Sequence, residues 1–192
     1  MIDIDYQIFS EKVLFQGKII EVIERQLKVG DKELSFELAR RSPGTRLIIP
    51  TPEDGFIMTR EFRSEHETYD YRLPGGKVFD RLTDYNAFLK SGEDILEKAK
   101  AAAIKEAVEE VGIRVKDLEY FAVSKCGATI IWDLFFFLVN TYENIPGGQT
   151  LEHGENIDLL EVSRDEARTI CLDGRMQEDR SAVLFLRYLE KP

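Results

Sequence analysis

The sequence predicts an α/β fold in which an antiparallel β meander precedes the main domain. Three observations carry this. The first third is a series of β-rich runs broken by glycine turns, the stretch Glu93–Val111 is alanine-rich with no Gly or Pro, and beyond it strand-like runs resume before two helical segments close the chain. A length of 192 residues with 43% hydrophobic residues suits one substantial core. We expect the meander over 1–45 and the main domain over 46–192.

Taken in order, Val13-Leu14-Phe15, Lys18–Ile23 and Leu34–Leu38 read as strands, separated by Gly17 and by Gly30-Asp31-Lys32. Ser42-Pro43-Gly44 turns into a strand at Arg46–Pro50, and Asp54-Gly55 makes a hairpin turn into Phe56–Arg63. After the glycine loop Pro74-Gly75-Gly76-Lys77 comes a polar insertion, Phe79 to about Ser91, holding a short helix. Glu93–Val111 is then one long helix, with Gly112 as its C-terminal cap. Leu118–Val123 is a strand, and Ile130–Val139 reads as one strand apolar enough to be buried on both faces. A Gly- and acid-rich loop, Asn144–Asn156, leads to a strand at Ile157–Val162. Ser163-Arg164-Asp165-Glu166 starts a helix in capping-box style, and Asp179–Leu189 forms the closing one.

Charge excludes one class of partner. With 36 acids against 26 bases the net charge is −10, the opposite of what neutralising a phosphate backbone requires. No run approaches the ~18 apolar residues of a membrane span. Met1-Ile2-Asp3-Ile4-Asp5 is unlike a signal peptide, so a cytoplasmic location without membrane association is expected. Cys126 and Cys171 lack metal or redox spacing and read as packed free thiols.

The long helix carries the chemistry. At about 100° per residue, Ile104, Ala107, Val108 and Val111 share one side, and Glu106, Glu109 and Glu110 share the other. Three like charges at i, i+3 and i+4 repel each other, a cost that a hard divalent cation would cancel. Oxygen-only donors without His or Cys point to Mg²⁺ or Mn²⁺. A solvated acidic face is the bland alternative.

The order of residues decides between the two. Pro74-Gly75-Gly76-Lys77, followed by Lys105-Glu106-Ala107-Val108-Glu109-Glu110-Val111-Gly112-Ile113, resembles the Nudix hydrolase signature G-x5-E-x7-R-E-U-x-E-E-x-G-U, U being aliphatic. Lys105 stands where that pattern has Arg, keeping the charge and losing the planar fork. The insertion lengthens the first half of the box. Glu97 keeps the x7 spacing to Lys105, and Glu93 sits at the loop turn before the helix; we prefer Glu97 as the first glutamate and leave Glu93 open.

The resemblance implies an α/β/α sandwich around a mixed sheet. It also implies that Glu106, Glu109 and Glu110, with a carbonyl at Gly75, hold the metal, and that Glu97, Lys105 and Gly112 support the box. Among Nudix enzymes the chain is most similar to the ADP-ribose and nucleoside-diphosphate-sugar pyrophosphatases, in which the meander builds a homodimer. That similarity makes Arg63, with Arg60 and Gly76, substrate-binding residues, since a guanidinium suits phosphate. It also puts the general base on the late acidic loop: Glu155 is preferred, Glu152 second, with flexible glycines allowing closure. Glu178-x-Arg180 is a loose echo of an acid-x-Lys pattern in some sugar-nucleotide hydrolases. Phe15, Tyr71 and Trp132 are possible stacking partners for a base.

The expected reaction is Mg²⁺-dependent hydrolysis of the pyrophosphate of ADP-ribose or a related nucleoside diphosphate sugar, giving a nucleoside monophosphate and a sugar phosphate. The alternatives are a Nudix-fold protein that binds sugar nucleotides without turnover, and a hydrolase of another nucleotide such as GDP-mannose or a dinucleoside polyphosphate.

Overall fold

A computed structural model describes residues 6–64 and 66–191; Met1–Asp5, on which the reading of the N-terminus rests, lie outside the described residues. The chain runs β1 (Tyr6–Gln16), β2 (Ile20–Val29), β3 (Lys32–Arg41), β4 (Gly44–Ile48), β5 (Gly55–Arg63), β6 (Thr68–Arg72), α1 (Leu82–Phe88) and α2 (Ile95–Glu106). A π-helical turn, Ala107–Val111, then leads to β7 (Ile113–Ser124), β8 (Ile130–Ile131), β9 (Leu134–Asn144), β10 (Ile157–Ser163), α3 (Arg164–Leu172) and α4 (Asp179–Leu189).

Two compact units result. Of the described residues, the first takes 6–43, 79–93 and 125–133. Within it β1, β2 and β3 form the expected antiparallel meander, and β8 adds to β3 in parallel, Ala39 opposite Ile130. The insertion belongs to this unit. Its helix α1 buries Leu82 and Tyr85, and Phe79 packs its ring 5.6 Å from Tyr85 and 5.2 Å from Phe88. Glu21 is fully buried, which a carboxylate tolerates only when paired. Arg40 grips it at 2.6 Å and Asn86 Nδ2 of α1 donates to it at 2.9 Å.

The second unit, again of the described residues, is 44–64, 66–78, 94–124 and 134–191. It holds two three-stranded sheets, β4-β9-β7 and β10-β5-β6, with β4 and β9 parallel and the other pairs antiparallel. Because successive strand residues point to opposite faces, β4 and β9 serve two cores. Ile48, Leu134 and Phe136 pack with Ala167 and Ile170 of α3 and Leu184 and Phe185 of α4. Leu47, Phe135 and Phe137 pack with Ala99, Ala103, Ala107 and Val111 of the α2 stretch. Helices thus cover both faces of β4 and β9, and the alanines bring α2 close to the strands.

Three expectations are corrected. Ile130–Val139 is not one strand: β8 and β9 belong to different units, and the polar Asp133 falls at the break. Residues 134–139 do face two cores, as their composition requires. Cys126 is exposed, because it lies in the turn before β8 and not in the apolar run; Cys171 is half-buried, and that burial pushes its thiol up to about 11. Ile104 is 39% exposed, since the buried stripe runs through Ala99, Ala103, Ala107 and Val111.

Candidate functional site

The acidic helix face forms where α2 ends. Asp94 caps the start, its side chain accepting from Leu96 N at 2.9 Å, so the helix begins just after Glu93. At the other end the chain widens into the π turn. Gly112 N–H reaches both Ala107 O and Val108 O, and Gly112 adopts φ 72°, the left-handed cap that only glycine takes without strain. A widened turn re-aims its side chains relative to a regular helix, and Glu109 and Glu110 lie within it.

Glu106 and Glu110 are both half-buried, and each is pushed up to about 7. For Glu106 burial is the main cause, with Lys105 opposing and Glu109, Glu155 and Glu152 adding to the rise. For Glu110 burial again leads, opposed by the Gly75 N–H and Arg46 and reinforced by Glu106 and Glu155. Glu109 instead pairs with Lys105 Nζ at 2.8 Å, one helical turn back, and the same ammonium lies 3.8 Å from Glu152.

The glycine loop lies against β4 and the acids. Leu47 N donates to Pro74 O at 2.8 Å and Thr45 N to Gly76 O at 2.9 Å. Gly75 N donates to Glu110 Oε2 at 2.7 Å. A Cβ on Gly75 would strike the Thr45 backbone, and one on Gly76 would fall on the Glu106 carboxylate, so close approach explains both glycines. The Gly75 carbonyl accepts from Arg46 Nη1 at 3.3 Å. Arg46 is itself buried in β4 and held by Glu178 Oε2, at 3.0 Å from Nε and 2.9 Å from Nη2. Burial alone would raise the Glu178 carboxyl, but Arg46, the Ser181 hydroxyl and Arg72 together hold it below its ordinary value.

The late acidic loop is tied to the same helix end. Thr150 N donates to Glu109 O at 2.9 Å, and Gln149 Nε2 donates to Glu110 O at 2.6 Å and to Ile157 O at 3.2 Å. These bonds satisfy carbonyls that a helix terminus leaves without partners. Glu155 accepts from Glu152 N at 2.9 Å, and both carboxylates act on Glu106 through space. Acids far apart in sequence are therefore gathered at one end of α2.

The other sequence-derived candidates make contacts of their own. Arg60 makes a two-pronged contact with Asp158, 2.7 and 3.1 Å, and lies 4.8 Å over the Tyr69 ring. Arg63 pairs with Glu61 at 2.7 Å. Glu97 is exposed in the first turn of α2, and Glu93 is exposed before it. Tyr71 lies under the Arg175 guanidinium and Trp132 under that of Arg41, while Phe15 is exposed on β1. Sequence reasoning missed Arg46 and Gln149. For Arg46 a signal existed: an arginine inside the apolar run Arg46-Leu47-Ile48-Ile49 needs a buried counter-charge, although nothing local says which.

Among the described residues no three Asp, Glu, His or Cys side chains are drawn together closely enough to ligate a metal. The donor chemistry nevertheless fits one. Two half-buried carboxylates near each other, both with their charged forms disfavoured, are oxygen donors for which a hard divalent cation would supply the missing counter-charge.

No family model matches the chain, and no curated protein does. A solved structure described as an ADP compounds hydrolase superposes with a TM-score of 0.67, covering 97% of this chain and 95% of that chain at 16% identity. The fold is Nudix-like. Its N-terminal strands form an antiparallel meander, as the sequence predicts. No helix among the described residues is long and apolar enough to cross a membrane.

Proposed function

We propose that the protein hydrolyses the pyrophosphate bond of ADP-ribose or a related nucleoside diphosphate sugar in the presence of Mg²⁺, releasing a nucleoside monophosphate and a sugar phosphate. The observation that carries this reading is that Glu106 and Glu110, half-buried and raised to about 7, feel the charges of each other and of the late-loop acids, while the Gly75 N–H of the glycine loop bonds Glu110. A Nudix-like fold shared with an ADP compounds hydrolase supports the substrate class.

In this reading Glu106, Glu109, Glu110 and the Gly75 carbonyl hold Mg²⁺, with Mn²⁺ as a substitute. When bound, the ion neutralises the pyrophosphate and offsets the repulsion between an acidic protein and its anionic substrate. Glu155, or Glu152 in its place, accepts the proton of the attacking water, a role that suits a carboxylate on a glycine-flanked loop. Arg60 and Arg63 meet the phosphates once they exchange their carboxylate partners for substrate oxygens, and Gly76 leaves room for the substrate. Glu97, Lys105 and Gly112 shape the helix and loop. A second copy of the chain is the expected protein partner, and the cytoplasm its setting.

One observation favours a second reading, a sugar-nucleotide binding protein without turnover: the Lys105–Glu109 ion pair occupies one of the acids. Phosphate release with added phosphatase separates the two. ADP-ribose, ADP-glucose, UDP-glucose, GDP-mannose and diadenosine polyphosphates are assayed with Mg²⁺ and with EDTA, alongside Glu110→Gln. Cleavage that needs Mg²⁺ and falls by about a hundredfold in the variant, the scale of losing one charge-stabilising group, is the expected result. Tight binding of a compound that is not cleaved would favour the second reading, and unchanged turnover in Glu110→Gln would defeat the assignment of the site.

A further inference from the structure

We infer that the buried Arg46–Glu178 pair is a positioning device for the candidate metal site, acting through the backbone of Gly75. This rests on the proposed reading of that site and adds two residues to it. Both backbone groups of one residue, in the two peptide units that flank its Cα, are engaged: Gly75 N–H donates to Glu110 Oε2 at 2.7 Å, and Gly75 C=O accepts from Arg46 Nη1 at 3.3 Å. Arg46 Nη1 also donates to Thr45 O at 2.8 Å, which fixes the guanidinium against β4. Glu178, at the N-cap of α4, then takes Nε and Nη2 of the same guanidinium, and Ser181 Oγ donates to Glu178 Oε2 at 2.6 Å. A chain of contacts thus runs from the start of the last helix to a carboxylate at the end of α2.

Stability does not account for the pair. Its side chains are 7% and 12% exposed, and burying two charges gives back little that an apolar pair of the same volume would not supply. The planar fork does what an apolar pair cannot, since it bonds a carboxylate and two carbonyls at fixed angles. With the Gly75 carbonyl held by Arg46 and its N–H by Glu110, the two peptide planes that meet at the Gly75 Cα are fixed relative to each other and the carbonyl direction is set. Glu178, whose sequence pattern loosely echoes an acid-x-Lys pattern, is by this inference a brace whose nearest work is on the protein itself.

The test measures Mn²⁺ binding by the loss of the free-ion paramagnetic resonance signal, in the wild type, Glu178→Gln, Arg46→Lys and Arg168→Ala. Glu178→Gln keeps the shape and loses the charge; Arg46→Lys keeps the charge and loses the fork. The expected result is a dissociation constant raised about tenfold in both, the scale of removing an outer partner of a metal ligand. Arg168→Ala, which breaks the surface pair with Glu190, leaves it unchanged. Thermal melting in EDTA identifies any variant that does not fold, and Glu178→Gln alone then decides. In turnover assays its loss is recovered at high Mg²⁺ with an unchanged KM for the nucleotide, which general destabilisation would not produce. Wild-type Mn²⁺ affinity in Glu178→Gln overturns the inference and leaves the site standing, whereas a wild type that binds no Mn²⁺ overturns both.

Discussion

Gly76 shows how far a single residue can be read. Its place in Pro74-Gly75-Gly76-Lys77 marks a loop, and three-dimensional structure adds that the space a Cβ would occupy is taken by the Glu106 carboxylate. That carboxylate is the far end of a flexible side chain, so it can move aside. Gly76→Ala is therefore expected to shift the melting temperature by only about 3 °C, or roughly 1 kcal/mol, while lowering turnover at least about tenfold through displacement of Glu106. Thermal melts and the phosphate-release assay on the same sample check this; a stable variant with full turnover would remove Glu106 from the site. Gly75 differs because its Cβ would meet the Thr45 backbone, which cannot yield, and its φ is +144°. Glu106, Glu109, Glu110 and the two glycines could be marked as candidates because the signature is local. Arg46 and Glu178 were not, because they are 132 positions apart and nothing in either neighbourhood names the other.

The α2 element was legible in its existence, its C-terminal glycine cap and its acidic face. Two details escaped. A wheel drawn at a fixed angle cannot register the π turn, and it placed Ile104 inside when the alanine stripe is what packs on β4 and β9. The crowding of acids at this helix end has a pH signature. Glu106 and Glu110 have folded values of about 7 against 4.5 for a free glutamate, so between those values the folded state holds more protons than the unfolded. Stability then falls as pH rises through that window: it is greatest below about pH 4.5 for these two groups and is lost by pH 8. After allowance for solvent screening of partly exposed carboxylates, a loss of about 1 kcal/mol, or roughly 3 °C, is expected for the metal-free protein between pH 5.5 and pH 8. Mg²⁺ should raise the melting temperature more at pH 8 than at pH 5.5. Melts in EDTA and in Mg²⁺ at the two pH values measure both; an equal Mg²⁺ effect at each pH would separate these carboxylates from metal binding.

For the whole molecule, the meander bears on assembly. Every one of the 11 residues of β1 is exposed, including Phe9, Val13 and Phe15, whereas a strand in a folded domain usually buries one face. Apolar side chains uncovered on both faces call for a partner. A dimer in sedimentation at micromolar concentration is expected, shifting to monomer in Phe9→Lys/Phe36→Lys; a wild-type monomer would leave these strands to another role. By itself the sequence marked the strands other than β6, with β8 and β9 run together, the meander, the helix after the insertion, and the acids and glycines proposed for the site, because hydrophobic period, turn residues and the signature all act over a few positions. Only the tertiary structure decided that Ile130–Val139 divides between two units, that Gln149 ties the acidic loop to the end of α2, and that Glu178 grips Arg46 behind Gly75. Those outcomes depend on which distant backbone carbonyls and charges come within hydrogen-bond reach once the sheets pair, and no local pattern carries that information.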